Sequence, residues 1–131
     1  MKEYQKTKNN PYWIPQNLYM MTVYFIRSYY EMKQAYDNII DSSPANDGQP
    51  KGTGIGDPTE AKAEKLEYLF DDITIIEKAL KSIPEEYQPL IWENVVHRVP
   101  MKMLYTTKTP QTLSLYRGKF IHKVAELKKI I

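Results

Sequence analysis

The last third of the chain contains a long amphipathic segment, and this segment limits the choice of fold more than any other feature. Its apolar side chains recur at steps of three and four residues, which places them on one side of an α-helix. They are Leu113, Tyr116, Phe120, Val124 and Leu127. A helix of this kind is stable in water when other elements cover its apolar side. The upstream sequence is therefore expected to supply that support.

Two upstream stretches repeat the helical spacing. The first predicts a helix from Gln16 to about Ile40, with Pro15 suited to the first turn. The second predicts a helix that follows a capping Asp57 and continues to Ser82. Its apolar stripe consists of Leu66, Leu69, Phe70, Ile73, Ile76, Leu80 and Ile83.

A third helix is predicted to start at Pro84 and to end near Arg98, because Pro100 discourages continuation. The following stretch, 100–105, can form a short helix, and the final helix would begin with Thr109 as its cap and Pro110 in its first turn. These elements predict an all-α domain of four to five helices. The last two helices would form a helix-turn-helix, although an ordinary loop between two core helices fits the same residues.

The stretch 41–58 differs from its surroundings in composition. It holds four of the five glycines and three of the nine prolines, with one aliphatic side chain larger than alanine. Such a segment buries too little apolar surface to offset the entropy of ordering, so it is predicted to be a flexible linker. The chain then divides into an arm and aromatic-rich helix (1–40), the linker (41–58) and a second helical region (59–131).

Charge is distributed unevenly along the chain. Residues 1–96 carry 10 Lys and Arg against 15 Asp and Glu, whereas residues 97–131 carry 8 against 1. A change from a net charge of −5 to +7 within 131 residues predicts a basic surface that faces a polyanion. A lysine-rich helix side in contact with solvent alone is the simpler alternative.

The final helix has the residue types of a helix that recognises the major groove of double-stranded DNA. Four residues are predicted to approach base edges: Gln111, Thr112, Ser114 and Arg117. Four more are predicted to contact phosphates: Arg98, Lys108, Lys119 and Lys123.

Other functional classes have little support in the sequence. The chain has no cysteine, which excludes disulfides and thiolate metal sites and suits a reducing cytosol. With two isolated histidines, His97 and His122, and no strand scaffold, it offers no nucleophile–base pair, so neither an enzyme nor a metal or cofactor site is predicted. The apolar run Met20–Ile26 is too short to span a bilayer, and no membrane association is expected.

The first predicted helix carries an excess of aromatic side chains: Tyr19, Tyr24, Tyr29, Tyr30 and Tyr36. Aromatic residues with a polar tip suit an interface that is partly wet. A homodimer formed through residues 16–40 and ordinary packing of this helix in the core are both consistent with the pattern.

Several segments resemble a family of small phage and prophage proteins described as RinA-like or ArpU-like transcriptional regulators. The similar segments are Asn10–Pro15, Tyr24–Tyr29, Asp41–Pro44, Gly54–Thr59, Ile83–Tyr87, Thr112–Leu113 and Phe120–Ala125. The resemblance implies a sigma-factor-like C-terminal helix-turn-helix and control of late-gene transcription by binding to promoter DNA. Two alternatives remain: a DNA-packaging protein resembling a small terminase subunit, and an adaptor that acts on RNA polymerase without binding DNA.

Overall fold

The computed structural model describes residue 5 and residues 10–41, 58–104 and 109–131. Over these ranges the chain forms five α-helices, which confirms the prediction of an all-α fold. They are α1 (Gln16–Arg27), α2 (Tyr29–Asp41), α3 (Pro58–Leu80), α4 (Gln88–Val95) and α5 (Pro110–Leu127). Nearly all of the predicted linker, residues 42–57, lies outside the described residues. Within the described ranges, no helix combines the length and the apolar character needed to cross a membrane.

The single helix predicted for residues 16–40 is interrupted at Ser28. The Ser28 amide donates to the carbonyl oxygens of both Tyr24 and Phe25, and its hydroxyl donates to the Tyr24 carbonyl at 3.0 Å. A serine side chain that bonds back to the preceding turn competes with the helical hydrogen bonds and bends the helix. Helix α2 resumes at Tyr29, so the aromatic side chains of the predicted helix are divided between two elements.

Helices α1, α4 and α5 and the second half of α3 surround the apolar core. Helix α5 is buried along most of its length, at Leu113, Phe120, Ile121, Val124 and Ala125. The other helices contribute Tyr19, Val23, Ile26, Ile76, Ala79, Ile91 and Val95, each at most 2% exposed. The apolar side predicted for the final helix is therefore the side that the core covers.

Helices α2 and α3 form an antiparallel pair that extends beyond this core. The Tyr29 hydroxyl meets Glu77, and the Tyr36 ring lies 6.4 Å from the Phe70 ring, so the two chain directions are opposed. No residue of α2 is buried, and Phe70 and Tyr68 of α3 remain 55% and 72% exposed. Contact with α2 therefore leaves apolar side chains at this end of α3 exposed.

The region between Pro84 and α5 is less helical than predicted. A 3₁₀ turn, Glu85–Tyr87, precedes α4, which ends at Val95. Of the short helix predicted at 100–105, the described residues form one 3₁₀ turn, Met101–Met103. Of the turn expected at residues 106–109, residues 106–108 lie outside the described residues, as does residue 105.

Candidate nucleic-acid interface

The amino-terminal end of α5 is capped as predicted. Thr109 has extended backbone angles, and its hydroxyl oxygen accepts a hydrogen bond from the Thr112 amide at 3.2 Å. The two threonine hydroxyls are 2.7 Å apart, and Pro110 occupies the first turn. A capping oxygen and a proline without an amide hydrogen satisfy this helix start locally. The first turn therefore has its conformation fixed before any ligand binds.

The first two turns of α5 present their outward side to solvent. Gln111 and Ser114 are exposed, Thr112 is half-buried, and Leu115 is 44% exposed. Gln111, Leu115 and Lys119 follow each other at steps of four residues, which places them along one side of the helix. An amide, an apolar side chain and a cation are thus aligned over about 12 Å of helix, at a rise of about 1.5 Å per residue.

Arg117 lies on the inward side of α5, contrary to the expectation that it faces base edges. Its Nε donates to Oδ1 of Asn94 at 2.6 Å, and its guanidinium also donates to the hydroxyl of Tyr19 and lies 5.9 Å from the centre of that ring. Tyr19 is 2% exposed and Asn94 is 6% exposed. The reason is the helical repeat, because position 117 follows the buried Leu113 by four residues. Arg117 joins three helices in the interior.

Asn94 organises this polar contact, and sequence reasoning did not single it out. While Oδ1 accepts from Arg117, Nδ2 donates to the carbonyl of Val99 at 2.9 Å. The second bond fixes the loop that follows α4, in which the exposed Arg98 has a left-handed φ of 60°. The sequence does contain a signal for Asn94: its amide side chain lies three residues after the buried Ile91, and therefore on the apolar side of a short helix.

The residues predicted to contact phosphates are only partly brought together. Lys119 and Lys123 are half-buried and lie one turn apart on α5, and Lys123 Nζ is 4.0 Å from a carboxylate oxygen of Glu126. Arg98 is exposed in the loop after α4, whereas Lys108 lies outside the described residues. Lys102, which was not among the predicted contacts, is exposed in the 3₁₀ turn that packs against α5.

Lys128, another cation of the basic segment, is engaged within the protein. Its Nζ lies 2.7 Å from the carboxylate of Asp72 on α3 and 5.1 Å from the centre of the Phe25 ring. Together with the inward Arg117, this contact reduces the positive charge that the carboxyl-terminal segment presents to solvent. The charge count along the sequence therefore overstates the basic surface.

The amino-terminal arm crosses the outward side of α5 near its middle. A Cβ atom at Gly118 would lie 3.6 Å from Cβ of Tyr12, and the Tyr12 ring meets the His122 ring edge-on at 5.7 Å. The arm is anchored by Ile14, which is 3% exposed, while Trp13 remains 46% exposed. Gly118 thus adjoins the arm. The part of the outward side that the arm leaves accessible lies in the first turns of the helix.

Comparisons with known proteins give no family to which the chain can be assigned. No protein-family model, curated protein or solved structure matches it.

Proposed function

We propose that this protein binds double-stranded DNA through the first turns of helix α5 and acts as a transcriptional regulator of a phage or prophage. The observation that carries the proposal is the capped start of α5, where Gln111, Leu115 and Lys119 are aligned on the outward side. Glutamine can form two hydrogen bonds to adenine, and an apolar side chain can contact the thymine methyl group. Control of late genes follows only from the resemblance to phage regulators.

The surroundings of this helix start favour an anionic ligand. Helix amino termini carry a partial positive charge and attract phosphate groups. Arg98 and Lys102 are exposed in the segment before α5, and neither forms an ion pair with any residue that the structure describes. These cations would contact the DNA backbone, while Lys119 lies at the other end of the aligned side chains. In this proposal Arg117 holds α5 against α1 and α4 and does not contact DNA.

The test is the salt dependence of binding to a duplex of random sequence. Each phosphate contact adds about 0.9 to the slope of log affinity against log salt concentration. Lys119→Ala is expected to reduce that slope by about 1. Lys78→Ala, which removes the same charge from an exposed position on α3, is the matched control and is expected to leave the slope unchanged. Equal slopes for the wild type and Lys119→Ala would show that Lys119 does not contact a phosphate.

Base recognition requires a separate measurement. Selection of bound duplexes from a random pool is expected to enrich a short sequence, and Gln111→Ala is expected to relax the preference at one or two positions. A loss of one good base contact costs about 1–3 kcal/mol of discrimination. If the wild type enriches no sequence, the proposed base contacts are wrong. Binding to the DNA backbone is tested independently, by the salt titration.

A second candidate, an adaptor acting on RNA polymerase, is favoured by the apolar side chains that α1 exposes. Met21 and Tyr24 are 55% and 54% exposed, one turn apart. An adaptor of this kind would bind polymerase but no duplex DNA, and Met21→Ser would weaken the polymerase contact. A measurement of mass in solution separately distinguishes a monomer or homodimer from the ring expected of a small-terminase-like protein.

A further inference from the structure

A cavity of about 490 Å³ lies between α2, α3 and α4, on elements other than those of the proposed DNA site. Its volume is within the range of about 300–1,000 Å³ that is typical of small-molecule sites. Its lining combines aromatic, apolar and charged side chains: Tyr29, Tyr30, Lys33, Glu77, Leu80, Gln88, Pro89, Trp92 and Glu93. This composition indicates which ligand chemistry the cavity can accept.

Three aromatic rings of this lining lie in nearly perpendicular planes. The Tyr29 ring makes an angle of 88° with Trp92 and 83° with Tyr30, with centres 4.9 and 5.2 Å apart. The Tyr30 and Trp92 rings make an angle of 81°, with centres 6.1 Å apart. The three rings meet edge to face and form a corner, in which the ring faces that no other ring covers carry negative electrostatic potential. Such corners are used to bind quaternary ammonium groups.

Hydrogen bonds hold the rings in this arrangement. The indole Nε1 of Trp92 donates to the Tyr30 hydroxyl at 3.0 Å, and the Tyr29 hydroxyl donates to the Glu77 carboxylate at 2.5 Å. Burial and this carboxylate raise the pKa of Tyr29 above its usual range, so the ring stays neutral. The Trp92 ring also lies 6.4 Å from the buried Phe120 ring, which links the corner to the core. The corner is therefore formed before a ligand arrives.

The charged groups of the cavity favour a cation. Glu77 and Glu93 contribute two carboxylates against the single ammonium group of Lys33. Leu80 and Pro89 add apolar surface that suits the methyl or methylene groups of an organic cation. A small inorganic cation would gain little from this surface, and an anion would be repelled by both the carboxylates and the ring faces.

We propose that this cavity binds an organic cation, a methylated ammonium or guanidinium group, on the corner formed by Tyr29, Tyr30 and Trp92. The cation is carried either by a free small molecule or by a side chain of a partner protein. Glu77 and Glu93 supply the compensating charge. Lys33 opposes binding through its own positive charge.

The experiment follows Trp92 fluorescence in full-length protein carrying Trp13→Phe, which leaves Trp92 as the sole tryptophan of the chain. Choline and methylguanidinium are expected to change the emission with saturation in the millimolar range, corresponding to about −4 kcal/mol. The neutral isostere 3,3-dimethyl-1-butanol has the shape of choline without its charge, and it is expected to bind about tenfold more weakly. Equal affinity for choline and the isostere, or no saturation by either cation, overturns the proposal.

Substitutions within the cavity give effects of opposite sign. Glu93→Gln and Tyr30→Leu are expected to weaken choline binding by about threefold to tenfold, whereas Lys33→Gln is expected to strengthen it by about threefold. Glu67→Gln, on the exposed surface of α3, is the charge-matched control and is expected to have no effect. Tyr30 is itself 50% exposed, so its replacement is tolerated by the fold, which thermal unfolding verifies. Weaker binding by Lys33→Gln contradicts the proposed electrostatics.

The source of the cation is distinguished by a second pair of ligands. A short unstructured peptide with one trimethyllysine is compared with the same peptide carrying leucine at that position. Tighter binding of the trimethyllysine peptide than of choline assigns the cavity to a protein side chain, and the reverse order assigns it to a free small molecule. Equal binding of the two peptides, together with equal binding of choline and its isostere, excludes a cation site.

Discussion

Helices α5 and α3 have similar apolar spacing but different surroundings. Helix α5 is packed between α1, α3 and α4, and five of its residues between Leu113 and Ala125 are buried. The buried residues described in helix α3 lie in its second half, at Ile73, Ile76 and Ala79, whereas Tyr68 and Phe70, which precede them, are exposed. A helical repeat therefore identifies which side of a helix is apolar, whereas the neighbouring elements determine how much of that side is covered.

The largest test of this comparison replaces one phenylalanine in each helix. Phe120→Ala removes a fully buried ring and is expected to lower the free energy of unfolding by about 3–5 kcal/mol. Phe70→Ala removes a ring that is 55% exposed and is expected to cost about 1 kcal/mol or less. Urea denaturation of the two variants measures the difference. Similar losses would show that the first half of α3 is covered in solution, for instance by a second copy of the chain.

A smaller loss of stability is expected on replacing Arg117, the charged residue on the inward side of α5. Arg117→Ala leaves the side-chain oxygen of Asn94 and the hydroxyl of Tyr19 without this donor. The substitution is expected to lower the free energy of unfolding by about 1–3 kcal/mol. Lys65→Ala, at an exposed position of α3, is expected to change stability by less than about 0.5 kcal/mol. Denaturation and duplex binding are measured on the same samples. Unchanged stability with lost sequence preference would restore Arg117 as a base contact.

The smallest effect concerns backbone preference in the two helices. Gly118→Ala is expected to raise the free energy of unfolding by up to about 1 kcal/mol, because alanine is more favourable than glycine within a helix. The added Cβ would make an ordinary contact with Cβ of Tyr12 at 3.6 Å. Ala63→Gly, in the exposed first half of α3, is expected to lower it by less, because a helix end with few neighbours opens before global unfolding. A destabilising Gly118→Ala would indicate a tighter approach of the arm.

Much of the fold could be predicted from local sequence. The apolar side of α5 and the cap at Thr109 follow from spacing and residue type, and the structure has them as predicted. The stripe predicted for α3 is buried at Ile73, Ile76 and Ile83, whereas Phe70 of the same stripe is 55% exposed. The break at Ser28 was missed because apolar spacing continues across it. At the break, the serine hydroxyl bonds back to the Tyr24 carbonyl. The inward position of Arg117 could have been predicted from its spacing of four residues after Leu113, but its charge suggested that it would be exposed.

Residue types and their spacing are enough to give the all-α class, the apolar sides of the helices and the division of charge along the chain. These properties depend on residue type and on neighbours within two helical turns, which lie close in any helix. The packing of the helices sets three further features: Arg117 meets Tyr19, the arm crosses Gly118, and Tyr29 and Trp92 line one cavity. Such contacts join residues far apart in sequence, and they depend on how the helices pack together.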